Sequence, residues 1–417
     1  MTAVLAVGGR PDPVQLRAAA PLLDGAWRFH VGDDLRWARA DVDDSGWETI
    51  DLSAPASSND GDVGLPNYVT GWRAHGHPQY SGYAWYRRSV AVPAGNRVWD
   101  ILGPTAVDDG YELYWNGVRL GGSGRLGAFP RVVGARPMIF ALPANAAGSR
   151  GVLALRVFMQ GGVHIGDDSG GGIHVAPTLG PRPESRALYG AEWRRTIAGY
   201  IVEIVEPLAM FALIGLAIAL RPGSSHSGFI ATASLALVFS ALKRLDNAIV
   251  SWTDIMSLPT YLWLTSVLWT PLSLLTWTLA WNRWPAQPSR AIDVGAFVLA
   301  VAGVAGGAMQ SAAMTHLCRF GILALLALVL VRIIRGGSMR IMAVVTMALI
   351  LAAQFPGELG RIGVPGIWFP FGIGVTLAQY AYAVGIPLLA LLIVRTAPFG
   401  EGAPRSGRMT GAAAAGV

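Results

Sequence analysis

Four residues whose side chains could bind a ligand lie close together in a stretch rich in turn-forming residues. Trp72, His75, His77 and Tyr80 all fall between residues 54 and 81. A tryptophan can stack on a sugar ring because its apolar body and its N–H match the apolar and the polar surfaces of a pyranose. Long loops often carry function. We therefore predict that these four residues bind a ligand; the competing interpretation is that they are ordinary core and surface residues.

The same stretch contains residue types that ligate metals. His75 and His77 alternate like neighbours on one face of a strand, and Asp60 or Asp62 could supply a third ligand. A second acidic group could offer oxygen atoms to calcium but is equally typical of turns; it comprises Asp33, Asp34, Asp41, Asp43 and Asp44. We interpret the histidines as surface residues and the aspartates as turn residues. The sequence therefore predicts no metal and no other cofactor.

Ionisable residues inside apolar segments form a second candidate group. Glu203 and Glu206 lie three positions apart on one helical face, and Lys243, Arg244 and Asp246 fall in the next apolar segment. Charge is expensive to bury in lipid, so such residues usually pair or face a cavity. We predict that these five form an interhelical cluster that couples the N-terminal part of the chain to the helices. The alternative is that their side chains extend to the lipid headgroups.

The sequence contains none of the common catalytic motifs. It lacks the Gly-x-Ser-x-Gly elbow, the His-Glu-x-x-His pair and the phosphate-binding loop. Glu358 and Arg361, three positions apart, are interpreted as a local ion pair. The single cysteine, Cys318, lies in an apolar stretch and is interpreted as a buried hydrophobe. We therefore expect a binding protein and not an enzyme.

Composition divides the chain into two parts. Hydrophobic residues make up 53% of the 417 residues and charged residues 14%, against about 25% charged in a typical soluble domain. The first 196 residues hold 19 arginines and 19 acidic residues, whereas the rest hold 13 basic and seven acidic ones. The net charge of +6 thus belongs to the apolar part. Such a distribution favours a lipid bilayer as partner and argues against a nucleic-acid partner.

The apolar part predicts an all-α polytopic bundle over residues 197–395. Seven segments approach the ~20 residues that a helix needs to cross the hydrocarbon layer, at 197–220, 228–252, 258–281, 291–314, 317–334, 341–355 and 372–394. The second segment is interrupted by charge and the sixth is short, so six or eight spans are alternatives. Helices satisfy their own backbone hydrogen bonds, as hydrocarbon requires.

Basic residues around these segments predict the orientation. Nine lie on the side of the C-terminus and six on the other side. The excess places the C-terminus in the cytoplasm and the N-terminal region outside. Residues 1–21 are predicted to be a leader or a disordered segment, 182–196 a linker and 396–417 a short disordered cytoplasmic tail. A tail of this length holds no catalytic output domain.

Residues 22–181 predict an all-β sandwich. Short alternating runs, bounded by turn residues, are typical of strands and occur at 83–92, 111–115, 118–120, 138–142 and 152–158. Asn116 and Gly117 lie between two of these runs and predict a two-residue hairpin, because both tolerate positive φ. Many short strands with frequent turns indicate a sandwich or barrel.

The motifs of this region resemble the galactose-binding-like jelly roll of the sugar-binding domain of family 2 glycoside hydrolases. They are Leu23-Asp24-Gly25-Ala26-Trp27-Arg28-Phe29, Asp43-Asp44-Ser45-Gly46-Trp47, Gly82-Tyr83-Ala84-Trp85-Tyr86-Arg87-Arg88, Val107-Asp108-Asp109, Trp115-Asn116-Gly117 and Gly171-Gly172-Ile173. The resemblance implies a jelly-roll fold and a carbohydrate as ligand. It covers the accessory domain of those enzymes only.

A jelly roll followed by about seven spans is similar to the bacterial seven-transmembrane receptors with diverse intracellular signalling modules. That resemblance implies a sensory receptor in the bacterial inner membrane, with the sandwich outside. The given sequence has no enzymatic module after the last predicted span. We therefore expect that the protein acts through a partner's interior surface, that it has a separate cytoplasmic effector protein, or that the sequence is a fragment of a longer protein. One alternative is a membrane enzyme or transporter that acts on glycans, with the sandwich as a substrate-binding module. Another is a structural envelope protein whose sandwich binds another protein.

Overall fold

The computed structural model of the protein describes residues 18–59, 65–134, 136–161, 168–220, 226–336, 339–368 and 374–396. They form a sheet-rich N-terminal region up to residue 181, here called the β region, and a series of helices that follows it, here called the bundle. Residues 1–17 of the predicted leader, residues 397–417 of the predicted tail, Asp60 and Asp62 lie outside the described residues.

Eleven strands are described in the β region. They are β1 (Ala26–Val31), β2 (Glu48–Asp51), β3 (Gly82–Ala91), β4 (Trp99–Leu102), β5 (Val107–Asp108), β6 (Gly110–Trp115), β7 (Val118–Ser123), β8 (Ile139–Ala141), β9 (Arg150–Met159), β10 (Gly172–Ile173) and β11 (Thr178–Pro181). Each of the five strands predicted from alternation is present, shifted by at most a few residues.

Two antiparallel sheets share one apolar core. The main sheet has the order β2-β1-β3-β9-β6-β7, and the second has the order β11-β4-β8. Trp27, Phe29 and Tyr86 of the main sheet pack in the same cluster as Ile101 and Leu179 of the second sheet. Burying each such side chain stabilises the fold by about 1.5–3 kcal/mol. The apolar faces of the alternating strands therefore hold the sheets together.

The hairpin predicted at Asn116-Gly117 is confirmed. Trp115 of β6 pairs with Val118 of β7, so these two residues form the whole loop. Their φ angles are 48° and 85°, as a turn that matches the right-handed twist of the flanking strands requires.

Nine helices are described in the bundle. They are α1 (Arg182–Tyr200), α2 (Val202–Leu220), α3 (Ser227–Trp252), α4 (Leu258–Asn282), α5 (Arg290–Ala308), α6 (Ala312–Arg335), α7 (Arg340–Gln354), α8 (Pro356–Gly360) and α9 (Leu377–Thr396). A two-stranded hairpin precedes α9 and joins Ile367–Trp368 to Val375–Thr376.

Six helices of the described residues are long and apolar enough to cross a membrane, one fewer than the seven predicted segments. They are Arg182–Leu220, which joins α1 and α2, and then α3, α4, α5, α6 and α9. The predicted sixth segment is α7, whose 15 residues extend only about 22 Å against a ~30 Å hydrocarbon core. Large apolar side chains such as Phe297 and Leu328 remain exposed on the outer surface of the bundle, which suits lipid and not water.

The segment 182–196 is helical and packed, whereas its polarity had predicted a linker. Pro183 and Glu184 lie in the first turn of α1, where proline and acidic residues are favoured. Ser185, Leu188 and Glu192 are buried. The polar side chains of this segment thus belong to a helix that also has a buried face. Its polarity alone did not indicate that the segment is helical. Arg182–Leu220 forms one helix of 39 residues, here called the connecting helix.

Candidate functional site

The loop that carries the predicted ligand-binding residues is fixed to the core of the β region. The backbone N–H of Trp72 donates to Gly171 O at 2.9 Å, and that of Gly71 donates to Ser169 O at 2.6 Å. Trp72 is fully buried and lies 6.0 Å from the Phe29 ring. This placement differs from the stacking surface expected of Trp72, because the indole is enclosed by the core and offers no open face.

The other three predicted residues lie around Trp72 with different exposure. His75 is exposed and contacts Thr70 Oγ1 at 3.4 Å. His77 Nε2 lies 2.8 Å from a Glu48 carboxylate oxygen. Tyr80 is half-buried and donates its hydroxyl to Tyr83 O at 2.5 Å. Ligand binding by these residues stays a prediction.

Replacing Gly71 by alanine should destabilise the β region by about 3 kcal/mol. A Cβ at this position would overlap the carbonyl oxygens of Gly171 and Gly170, which are backbone atoms and cannot rotate away. Thermal denaturation of the full chain, followed by tryptophan fluorescence, measures the change. Gly46→Ala is the matched control, because a Cβ there meets nothing within 4 Å. Equal midpoints for the two variants would mean that the loop is not fixed to the core.

A buried ionic network that the sequence analysis did not identify covers the face of the main sheet opposite the core. Arg156 donates two hydrogen bonds to Asp33, at 2.7 and 2.6 Å, and one to Glu112 at 3.0 Å. Tyr114 donates to the same Glu112 oxygen at 2.8 Å. Burial acts to lower the pKa of Arg156, but the bonds to Asp33 and Glu112 outweigh it and raise that pKa.

A second buried arginine fixes the segment that lies over this face. Arg87 is 1% exposed, donates to Asp44 Oδ2 at 2.8 Å and binds the carbonyl oxygens of Trp37, Arg39 and Val42. Arg87 follows the apolar run 83–86 of β3, and Arg156 lies inside the apolar run 152–159 of β9. An arginine at such a position is the sequence signal that could have revealed the network. Because Asp33 and Asp44 accept from arginines, they do more than form turns.

The connecting helix is tied to the second sheet by polar contacts. Arg182 donates to both carboxylate oxygens of Asp100, at 3.1 and 3.2 Å, and Asp100 is 2% exposed. Ten residues further along, Glu192 accepts from the Thr105 hydroxyl at 2.5 Å. A movement of β4 and of the segment that follows it would therefore displace both the start and the middle of α1.

Three of the five residues predicted to form an interhelical cluster meet in the bundle. Arg244 of α3 donates to Glu203 Oε1 at 2.6 Å, and its Nε lies 3.2 Å from Glu206 Oε2, an ion-pair distance without hydrogen-bond geometry. Gln379 of α9 donates to the same Glu203 oxygen at 2.9 Å. The Arg244 guanidinium also lies 5.2 Å from the Tyr382 ring centroid. These residues, here called the polar cluster, join α2, α3 and α9.

The other two predicted members lie apart from it. Asp246 accepts a hydrogen bond from the Trp269 indole of α4. Lys243 has no hydrogen bond or ion pair within the described part of the chain. On an α-helix, residues one and two positions apart do not face each other, so neither side chain lies beside that of Arg244.

Neutral side chains extend the polar cluster toward α4 and α7. Gln354 donates to the Tyr382 hydroxyl at 2.5 Å, and Trp277 donates to Ser240 Oγ at 3.1 Å. Ser240 also contacts Ser273 at 3.1 Å. These residues could not be predicted from the sequence, because single polar residues in apolar helices carry no periodic signal.

The pairing predicted between Glu358 and Arg361 is wrong. Glu358 binds Arg319 of α6, at 2.5 and 2.7 Å, and Arg361 lies 3.2 Å from His316 Nε2. Burial acts to raise the pKa of Glu358, but the hydrogen bond from Arg319 outweighs it and lowers that pKa. Spacing along the chain predicted a local pair, whereas the packing of α6 beside α8 supplies a closer partner.

Among the described residues, no three His, Cys, Asp or Glu side chains are grouped so that they could hold a metal ion. The polar cluster combines carboxylates, a guanidinium and amides inside apolar helices. Such an arrangement can hold helices in one register. Its hydrogen bonds and ion pairs can be exchanged for others if one of the helices moves.

Comparisons with known proteins reach only part of the chain. No protein-family model matches it, and no curated protein matches it. Bacteroides uniformis β-glucuronidase 2, covalently bound to cyclophellitol-6-carboxylate aziridine, is 24% identical over 38% of this chain and 17% of its own, with a TM-score of 0.28. A glycosyl hydrolase family 2 member from Bacteroides cellulosilyticus is 19% identical over 39% and 20%, with a TM-score of 0.27. This chain spans about a fifth of the length of these two proteins.

Proposed function

We propose that this protein is a membrane-bound sensory receptor. Its β region, a galactose-binding-like jelly roll on the extracytoplasmic side, binds a carbohydrate ligand, and the bundle passes the signal to a separate cytoplasmic effector protein. The motif resemblance described above supports the ligand class. The six candidate membrane-spanning helices support the location of the bundle.

The observation that carries this proposal is the connecting helix. Its 39 residues extend about 58 Å. Ile201, at the joint of α1 and α2, keeps right-handed helical angles, and Pro207 lies inside α2 just beyond Glu203 and Glu206. One end is bound to the second sheet through Asp100. The part beyond the joint carries Glu203 and Glu206 of the polar cluster. A displacement at the sheet therefore reaches an ion-paired layer of three helices through one stiff element.

Signalling through this helix requires two states of the bundle that a ligand populates differently. In the resting state Arg244 holds α2 against α3. Rotation or translation of the connecting helix moves both glutamates relative to Arg244 and Gln379, and so favours a second packing of α2, α3 and α9. Interfaces of this kind switch between discrete arrangements because packed side chains do not deform continuously.

Inserting two glycines between Tyr200 and Ile201 should separate binding from signalling. Each glycine weakens the helix by about 1 kcal/mol, and two extra residues rotate the following helix by roughly 200°. The full chain in lipid nanodiscs is first screened for stabilisation by a panel of oligosaccharides. Alkylation of the single cysteine, Cys318, which lies buried in α6, then reports on the bundle. The insertion should preserve stabilisation by the active sugar and abolish its effect on the alkylation rate.

The control inserts two glycines after Gly95, in the exposed turn between β3 and β4, and should preserve both responses. If the sugar still changes the alkylation rate in the variant with the insertion after Tyr200, the connecting helix does not transmit the signal. If a sugar stabilises the protein without altering the alkylation rate of Cys318, the proposal that binding is signalled to the bundle is wrong. If no oligosaccharide in the panel stabilises the protein, the proposal that the ligand is a carbohydrate is wrong.

The alternative function, an enzyme or transporter for glycans, has one observation in its favour. Glu203 Oε2 and Glu206 Oε1 are buried without a hydrogen-bond partner in the described residues, and buried carboxylates in membrane helices also line substrate or proton pathways. Uptake or cleavage of the active oligosaccharide by proteoliposomes containing the full chain would establish this function in place of the receptor.

A further inference from the structure

A small basic cavity lies where the β region contacts the bundle. Its volume is about 170 Å³, and its lining includes Ser123 at the end of β7, Arg125, Arg131 and Arg136 from the following segment, and Asp254 from the loop between α3 and α4. Drug-sized ligands occupy about 300–1,000 Å³. This cavity therefore suits a single small group.

The charges that line the cavity do not balance. Arg136 forms an ion pair with Asp254 and is only 11% exposed. Arg131 donates to the carbonyl oxygens of Asp254 and Ile255, at 3.2 and 3.1 Å, which carry no formal charge. In the described part of the chain, the Arg125 side chain has no hydrogen bond or ion pair. Three guanidinium groups thus face one carboxylate.

Two of the three arginines reach the cavity from the solvent side. Arg125 and Arg131 line it and are exposed, so an anion can approach them from solvent. Guanidinium forks are donors that phosphate oxygens accept from in proteins.

We propose that this cavity binds one phosphate group where the β region meets the bundle. Arg125 and Arg131, both in the β region, donate to its oxygens, and the Arg136–Asp254 pair closes the side next to the α3–α4 loop. Binding offsets part of the excess positive charge at the junction.

The position of the cavity favours the phosphate of a lipid headgroup over a free phosphate ion. The loop that carries Asp254 follows the end of the candidate span α3 at Trp252 and precedes α4, so it lies at the level where a span leaves the membrane. Phe129, between Arg125 and Arg131, is 95% exposed. An exposed aromatic ring flanked by arginines is suited to the boundary between headgroups and acyl chains.

Thermal stabilisation of the full chain in neutral detergent tests this site. The protein is titrated separately with a short-chain phosphatidylglycerol, with inorganic phosphate and with chloride at matched ionic strength. Phosphatidylglycerol, phosphate or both should stabilise the protein with saturation, and chloride should not. Saturation by the lipid alone identifies a headgroup as the source, and equal response to inorganic phosphate identifies a free anion.

Arg125→Gln should raise the apparent dissociation constant for the active probe at least tenfold, because a hydrogen bond to a charged group is worth about 1.5–3 kcal/mol. The variant should fold normally, since the Arg125 side chain binds nothing in the described structure. Arg97→Gln makes the same charge change at an exposed position away from the cavity and should leave the constant unchanged. Equal effects of the two variants, or no saturable response to either phosphate compound, would overturn the proposal.

Discussion

Replacement of Arg244 by glutamine should destabilise the bundle by about 3–5 kcal/mol, which corresponds to a fall of about 10 °C in the thermal midpoint. Arg244 is the only basic residue within ion-pair distance of Glu203 or Glu206 among the described residues. Glu203 and Glu206 are 3% and 4% exposed. Without the guanidinium, two carboxylates remain buried side by side, and neither can be hydrated.

Thermal denaturation of the full chain in lipid nanodiscs measures this loss. Arg361→Gln is the matched control, because Arg361 is exposed and, among the described residues, its side chain contacts His316 and the Phe320 ring. Exposed pairs contribute about 1 kcal/mol or less, so the control should shift the midpoint by a few degrees at most.

A second variant separates the loss of a charge pair from the loss of packing. Glu203→Gln and Glu206→Gln, added to Arg244→Gln, remove both carboxylates that the single change leaves unpaired. Replacing all members of a buried ionic group is far less damaging than removing one of them. The triple variant should recover most of the lost midpoint. If it is as unstable as the single variant, Arg244 acts through its volume and its contact with Tyr382 and not through its charge.

Local patterns in the sequence predicted part of the elements. Alternation predicted five of the eleven strands described in the β region, and Asn116-Gly117 predicted the hairpin because the required φ angles belong to those two residues. Apolar segments predicted the long helices after residue 197 because length and hydropathy are local properties, whereas the polar part of α1 was expected to be a linker. The structure retains these features, with α7 too short to be counted among the candidate spans.

Contacts between distant elements could not be predicted in the same way. Trp72 was predicted to contact a ligand because it lies in a long loop, yet the backbone of residues 71–73 pairs with that of residues 169–171 and the indole is buried in the core. Arg319 pairs with Glu358 because α6 and α8 are adjacent, which no spacing encodes. The polar cluster illustrates both cases: its charged residues were identified from their cost in lipid, whereas Gln379 and Tyr382 were found only through packing.

Replacement of Arg156 by methionine should destabilise the β region by about 3 kcal/mol. Arg156 is 5% exposed and binds Asp33 through two nitrogens and Glu112 through a third. Methionine fills part of the volume but donates nothing, so Glu112, itself 7% exposed, loses a buried donor. Asp33 is partly exposed and should be hydrated at smaller cost.

Glu112 provides an internal control, because two arginines bind the same carboxylate from opposite sides. Arg119 donates to Glu112 Oε1 at 3.0 Å, but its side chain is 50% exposed, so Arg119→Met should cost less than about 1 kcal/mol. Urea denaturation of the full chain, monitored by the tryptophans of the β region, compares the two variants. If their effects are equal, the Glu112 carboxylate alone decides the stability and burial of the arginine does not. A much larger effect at Arg156 would mean that the desolvated fork to Asp33 and Glu112 holds the segment around Asp33 against the main sheet.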